Sequence, residues 1–277
     1  MDFPLRVLYS VAGPNQPNLL GERMYPMRIR LLTVLMSVAL ASTAAWADDV
    51  SGQGRKLFDQ YKDAVVGVHV VLSMQMGGEE NEDENWLHAT VVDPSGVAVA
   101  SLTQVDPAAF YQMISDGDEA PTSKVVSLKM ILTDGTEIPA EVVLRDNDLD
   151  LAYLRPIAAP EAPMSYVDVK SGAKPEILDQ VAVMVKLGEV SRRAHSVFID
   201  RVEGVVEKPR PYYIVGEHRA QSIVSSPVFS LDGKLVGVGA IRAIKSENGP
   251  QMGESLLIIV VPTDDIAAGM EQIPPRG

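Results

Sequence analysis

The chain has 277 residues, 46% hydrophobic and 22% charged, enough for one large or two small globular units with a buried core. Lys and Arg number 24 against 37 Asp and Glu, and residues 1–47 hold four of the basic and two of the acidic residues, so the remainder carries about −15. That balance argues against a nucleic-acid partner, because phosphate binding needs clustered positive charge, and the lack of any cysteine removes disulfides and thiol chemistry.

Met27-Arg28-Ile29-Arg30 is a short basic segment, Leu31 to Ala41 is an uncharged apolar run, and Ala45-Trp46-Ala47 is a small-x-small cleavage site ahead of Asp48-Asp49. This order is that of a bacterial secretory signal. The apolar run is short of the roughly 20 residues a bilayer-spanning helix needs. Residues 1–26 show no periodic pattern and read as an extension misassigned upstream of the true start at Met27. The expected organisation is therefore a signal peptide over 27–47 and a mature chain over 48–277, periplasmic or secreted, with no membrane span once the signal is removed.

From Gly54 to Asp63 the chain is polar with Leu57, Phe58 and Tyr61 at helical spacing, and it then turns β-branched from Ala64 to Leu72, so a short helix leads into a buried strand. Gly77 to Asn85, with five acidic residues and no apolar anchor, reads as a solvated loop; its carboxylates lack the ordered spacing of a calcium loop. Strands follow over Trp86–Val92 and Val97–Ser101, turned by Asp93-Pro94-Ser95-Gly96. Others run over Lys124–Leu132 and Ile138–Leu144, turned at Thr133-Asp134-Gly135-Thr136, and over Leu149–Leu154. Pro156 to Pro163, with three prolines and three alanines, reads as a linker. The second half repeats the style with Val181–Leu187, Ser196–Val206, Tyr212–Gly216, a hairpin within 220–241 and Ser255–Val261, and Thr263-Asp264-Asp265 suits the capped start of a terminal helix reaching Ile273. Many short strands in two similar halves predict an all-β architecture, and spacing alone leaves sandwiches and barrels open.

The hairpin carries the most information. Leu231-Asp232-Gly233-Lys234 joins two apolar runs with a tight-turn signal, and Leu235 to Ile241 alternates large apolar residues with glycines, which lets another backbone approach closely. The run Pro227-Val228-Phe229-Ser230-Leu231-Asp232-Gly233-Lys234-Leu235-Val236-Gly237 resembles the hairpin that follows the nucleophile in trypsin-like serine peptidases of the Deg/HtrA type, where it is written G-N-S-G-G-[PA]-[VL]-[FV]-N-x-x-G-x-[VI]-[VI]-G. The resemblance covers nearly all of residues 57–270. It implies two six-stranded antiparallel β-barrels, over 57–157 and 164–262, with the terminal helix over 263–273, a short helix at each end of the mature chain, and a site in the cleft between the barrels.

The same resemblance implies a degenerate site. Holding Pro227 and Gly233 in register puts Val224 on the nucleophile, Ser222 on the glycine of the oxyanion loop, and Ser225 and Ser226 on the two glycines that follow. Gly96 to Gln104 puts Thr103 on the general-base histidine, and Asp146 to Leu154 matches the aspartate pattern with Asp150 as the acid. Threonine is no base at neutral pH and valine no nucleophile. A one-residue slip would make Ser225 a displaced nucleophile. His69, His88, His195 and His218 have no zinc-ligand spacing and read as surface or hydrogen-bonded structural residues, so no metal and no cofactor is expected. Arg192-Arg193 and Arg210 could meet an acidic peptide terminus, with surface solubility the simpler reading. The implied function is that of an exported, inactive relative of the Deg/HtrA peptidases that binds a polypeptide or partner protein. The alternatives are an active serine endopeptidase with displaced catalytic residues and a structural module of the cell envelope.

Overall fold

Strands buried on both faces read as continuous apolar runs, and here alternate residues of one strand serve two different cores. In a computed structural model describing residues 49–76, 78–114, 121–216, 220–244, 251 and 254–276, residues 49–61 form helix α1 and lead into strand β1, Val65–Met76. Val66, Val68, Val70 and Leu72 point inward to one core while Val65 points to another. The expected extension, the signal peptide and His218 lie outside the described residues. Among the described residues no helix is long and apolar enough to cross a membrane.

The first barrel closes in the order β1-β2-β3-β6-β5-β4. It uses β2 (Glu79–Val91), β3 (Ala98–Ser101), β4 (Thr122–Ile131), β5 (Glu137–Asp146) and β6 (Leu151–Pro156), with helices α2 (Leu102–Val105) and α3 (Pro107–Ile114) after β3. The second closes in the order β10-β11-β12-β9-β8-β7. Its strands are β7 (Gln180–Lys186), β8 (His195–Val206), β9 (Tyr212–Val215), β10 (Pro227–Ser230), β11 (Leu235–Ala243) and β12 (Leu256–Pro262), with the helical turn α4 (Ala220–Ile223) before β10 and helix α5 (Thr263–Met270) at the end. Every named strand pair is antiparallel.

A third apolar cluster lies between the barrels. Leu151 and Tyr153 of β6 face it while Ala152 and Leu154 fill the first barrel, and Ala182 and Met184 of β7 face it while Val181, Val183 and Val185 fill the second. Period-two alternation thus places both faces of a strand in apolar surroundings and fixes how the barrels meet. The Tyr153 hydroxyl donates to the Ile266 carbonyl at 3.0 Å, seating α5 on the junction.

Three local expectations change. The acidic run 79–84 is strand, because it pairs with Val71 to Met76 across a turn at Gly78 (φ 87°), and its exposed carboxylates find partners on the hairpin, Ser73 for Glu80 and His69 for Glu84. The two runs of 220–241 do not both extend: residues 220–223 are a helical turn, and the hairpin proper pairs 227–229 with 235–238. Thr263 is the first residue of α5 rather than its cap, and Pro262 precedes it with no side-chain cap bond.

Candidate functional site: the junction between the barrels

Gly239 of β11 has no side chain, and a Cβ there would run into the Ile223 carbonyl. This close approach seats the α4–β10 loop on β11: Ser225 N–H donates to the Gly239 carbonyl at 2.8 Å, and Gly239 N–H returns a bond to Ser226 O at 3.0 Å. Ser226 N–H donates to Ile223 O at 2.8 Å. The amides of 225 and 226 are therefore consumed inside the loop and aim at no external oxyanion. Ser225 adopts φ 66°, the left-handed region, at a position where the resembling family places glycine. Ser222, by contrast, sits in the right-handed turn α4.

That backbone decides where the side chains go. Val224 is 3% exposed and packs in the core of the second barrel with Ile223, Val228 and Val260. Ser225 is fully buried and faces the first barrel instead. Its Oγ accepts from Ser101 N–H (2.8 Å) and donates to the Gln104 amide oxygen (2.7 Å), while Thr90 Oγ1 donates to the Ser225 carbonyl (2.9 Å). The groups facing its hydroxyl are thus a backbone amide donor and a side-chain amide oxygen, neither of them a base at neutral pH.

Asp150 stands at the end of the β5–β6 turn with φ 56°, a conformation Asp tolerates better than most residues. Its carboxylate accepts from the Ser101 hydroxyl (Oδ2, 2.6 Å), Thr103 N–H (Oδ1, 2.7 Å) and Ile241 N–H (Oδ2, 2.7 Å). Burial pushes this carboxyl above its usual range, opposed first by the Ser101 hydroxyl and then by the Ile241 and Thr103 amides; the Thr103 hydroxyl adds the smallest effect. None of the three donors is an imidazole. Thr103 and Asp150 do meet, through the threonine backbone, while Val224 points away into its own barrel.

The two closed barrels fit the trypsin-like, chymotrypsin fold. No family model matches the chain, and no curated protein matches it.

Beside these positions His88, expected as a structural histidine, pairs with Ser226. His88 of β2 brings Nε2 within 2.8 Å of Ser226 Oγ. The Ser226 hydroxyl donates to Ser222 O at 3.0 Å, so its oxygen accepts the imidazole N–H rather than giving up a proton to it. Burial holds His88 down at about 4, and the nearby Lys186 and His195 push the same way. The imidazole is neutral at neutral pH, and the charged group beside it is the Lys186 ammonium, where a catalytic histidine has a carboxylate. No spacing rule points to this pair, since 138 residues separate its members. Gln104 was one residue from a position already singled out, and its adjacency to Thr103 was the only signal available.

A cavity of about 360 Å³ opens next to His88, with Trp86 and Gln104 from the first barrel and Val185, Lys186, Arg193 and Ser222 from the second among its walls. Among the described residues no three His, Cys, Asp or Glu side chains converge as a metal site would require.

Proposed function

We propose that the chain is an exported trypsin-like protein, a degenerate relative of the Deg/HtrA serine peptidases, that does not hydrolyse peptides and acts by binding a polypeptide at the junction between its barrels. The observation that carries the reading is the Asp150 carboxylate, which spends its acceptor capacity on Ser101, Thr103 and Ile241 as a structural clasp between barrels. Val224 in the second-barrel core and Ser225 held between two amide groups support it, since neither has a proton acceptor of the kind acyl transfer needs. Export rests on the basic, apolar and small-residue order of residues 27–47.

One observation favours an active enzyme, the His88–Ser226 contact. Its weaknesses are a Ser226 side chain with no exposed surface, a hydroxyl already committed to Ser222 O, and an imidazole with the Lys186 ammonium rather than a carboxylate nearby. A fluorophosphonate probe separates the readings. The expected result is no covalent labelling and no casein cleavage above background, with unfolded casein retained by the immobilised protein. Labelling abolished by Ser225→Ala or Ser226→Ala would establish an active peptidase and overturn the proposal. Failure to retain casein or any other unfolded chain would overturn the binding half.

A further inference from the structure

The chain is acidic overall, with a formal net charge of −13, yet the cavity between its barrels is lined by two cations, Lys186 and Arg193, against one carboxylate, Glu189. Lys186 ends β7, and its stem crosses to the first barrel over Gly67, where a Cβ would stand 3.6 Å from the lysine Cε. Its ammonium stands 3.4 Å from His195 Nε2. That ring nitrogen is 2.7 Å from the Val65 carbonyl, which can only accept, so it carries hydrogen and faces Lys186 as a second donor. The ammonium is left without an acceptor there, and among the described residues no carboxylate lies within ion-pair distance of it.

Arg193 supplies the second charge. Its guanidinium lies 3.8 Å over the Trp86 ring, which in turn stacks on His69 at 4.1 Å. The stack holds the guanidinium by its face and leaves its N–H edges open for a planar anion. Arg193 too pairs with no carboxylate among the described residues; burial disfavours the Lys186 ammonium, the Asp63 carboxylate opposes that from beyond ion-pair distance, and Arg193 adds a smaller effect in the same direction as burial. Beside the two cations the wall is apolar at Ile131, Val185 and the Trp86 ring and polar at Gln104 and Ser222; one carboxylate, Glu189, also lines the cavity, and among the described residues it lies within ion-pair distance of neither cation. Both cations are half-buried, and partial desolvation without a partner costs free energy that an anion would offset; the volume is at the lower end of small-ligand sites, enough for one amino-acid-sized group.

We propose that this cavity is a carboxylate site, in which Lys186 and Arg193 hold the anion and the apolar wall takes an adjoining hydrocarbon group. The proposal rests on the polypeptide-binding reading and deepens it: the carboxylate is a chain terminus or an acidic side chain of the bound polypeptide. Two cations with one stacked ring suit a planar carboxylate bound edge-on.

The test is titration of the full chain with N-acetyl-leucine, N-acetyl-leucinamide, N-acetyl-glutamic acid α-amide and inorganic phosphate, followed by tryptophan fluorescence. A Trp86→Phe variant identifies the source of the signal. The expected result is saturable binding of acetyl-leucine, at least tenfold weaker binding of its amide, and at least tenfold weaker binding by Lys186→Gln and by Arg193→Gln. Lys186→Arg should retain binding within about threefold, since it keeps the charge. Stronger binding of the glutamic acid amide would name an acidic side chain as the source, and stronger binding of acetyl-leucine a chain terminus; either supports the site. Equal binding of acid and amide, phosphate binding as tightly as acetyl-leucine, or binding unchanged in both charge variants overturns it. Should unfolded casein be retained while none of the carboxylates binds, the carboxylate site falls and the polypeptide reading stands. Arg193 is near the surface, so Arg193→Gln keeps the test informative if Lys186→Gln fails to fold.

Discussion

His88 should make the fold sensitive to mild acid, and the size of the effect follows from its surroundings. Burial, with Lys186 and His195 nearby, lowers its proton affinity from the ordinary 6.5 to about 4. The unfolded chain therefore binds a proton through the window between those values while the folded chain does not. For a base whose folded pKa is depressed, stability is fully present above the unfolded pKa and is lost as pH falls toward the folded one. Each pKa unit is about 1.4 kcal/mol, so the loss reaches about 2 kcal/mol at pH 5 and about 3 kcal/mol at pH 4, and levels off below that. Other groups titrate in the same range, so the measurement is a difference. Urea unfolding at pH 7, 6, 5 and 4 is compared between the wild type and His88→Gln, whose amide can still donate to Ser226 Oγ but takes up no proton. The wild type should be the more stable at pH 7, and the gap should close or reverse by about 3 kcal/mol by pH 4. Parallel pH profiles for the two proteins would show that His88 titrates normally in the folded state and would refute the reasoning.

Two further outcomes follow from the junction. Gly239→Ala should cost about 3 kcal/mol, the upper end of the overpacking range, because the new methyl meets the Ile223 backbone carbonyl rather than a movable side chain; thermal unfolding indistinguishable from wild type would show that the loop yields easily. Thr103→His with Val224→Ser should restore no efficient proteolysis and should destabilise the second barrel by about 2 kcal/mol, since residue 224 lies in an aliphatic core and its hydroxyl would be left there without a partner. Efficient casein hydrolysis by that double variant would sink this account of the loop.

The strand content was legible because a buried strand leaves a local record. Val66, Val68, Val70 and Leu72 recur at every second position, Val181, Val183 and Val185 do so with apolar Ala182 and Met184 between them, and turn residues such as Asp232-Gly233 punctuate the runs. Asp150 is marked by the resemblance of Asp146 to Leu154 to a family motif and is expected within a strand over 149–154; it stands instead in the turn between β5 and β6. Gly239 could be marked as a point of close approach, although the sequence did not say that Ile223 would be the neighbour.

What the sequence could not decide was direction. Keeping Pro227 in register fixes the strand after it, but the residues before it lie in a turn, where no alternation rule assigns side chains to faces. The left-handed backbone at Ser225 turns that side chain toward the first barrel and leaves Val224 in the second. The acidic run 79–84 had no apolar anchor of its own and became strand only because β1 was there to pair with it. His88 and Ser226, and Lys186 and Gly67, meet because two separately closed barrels share one apolar seam. Composition and periodicity act over a few residues and so determine which segments are strands. Contacts between residues more than a hundred positions apart depend on how two rigid barrels dock, and only the packed structure sets that geometry.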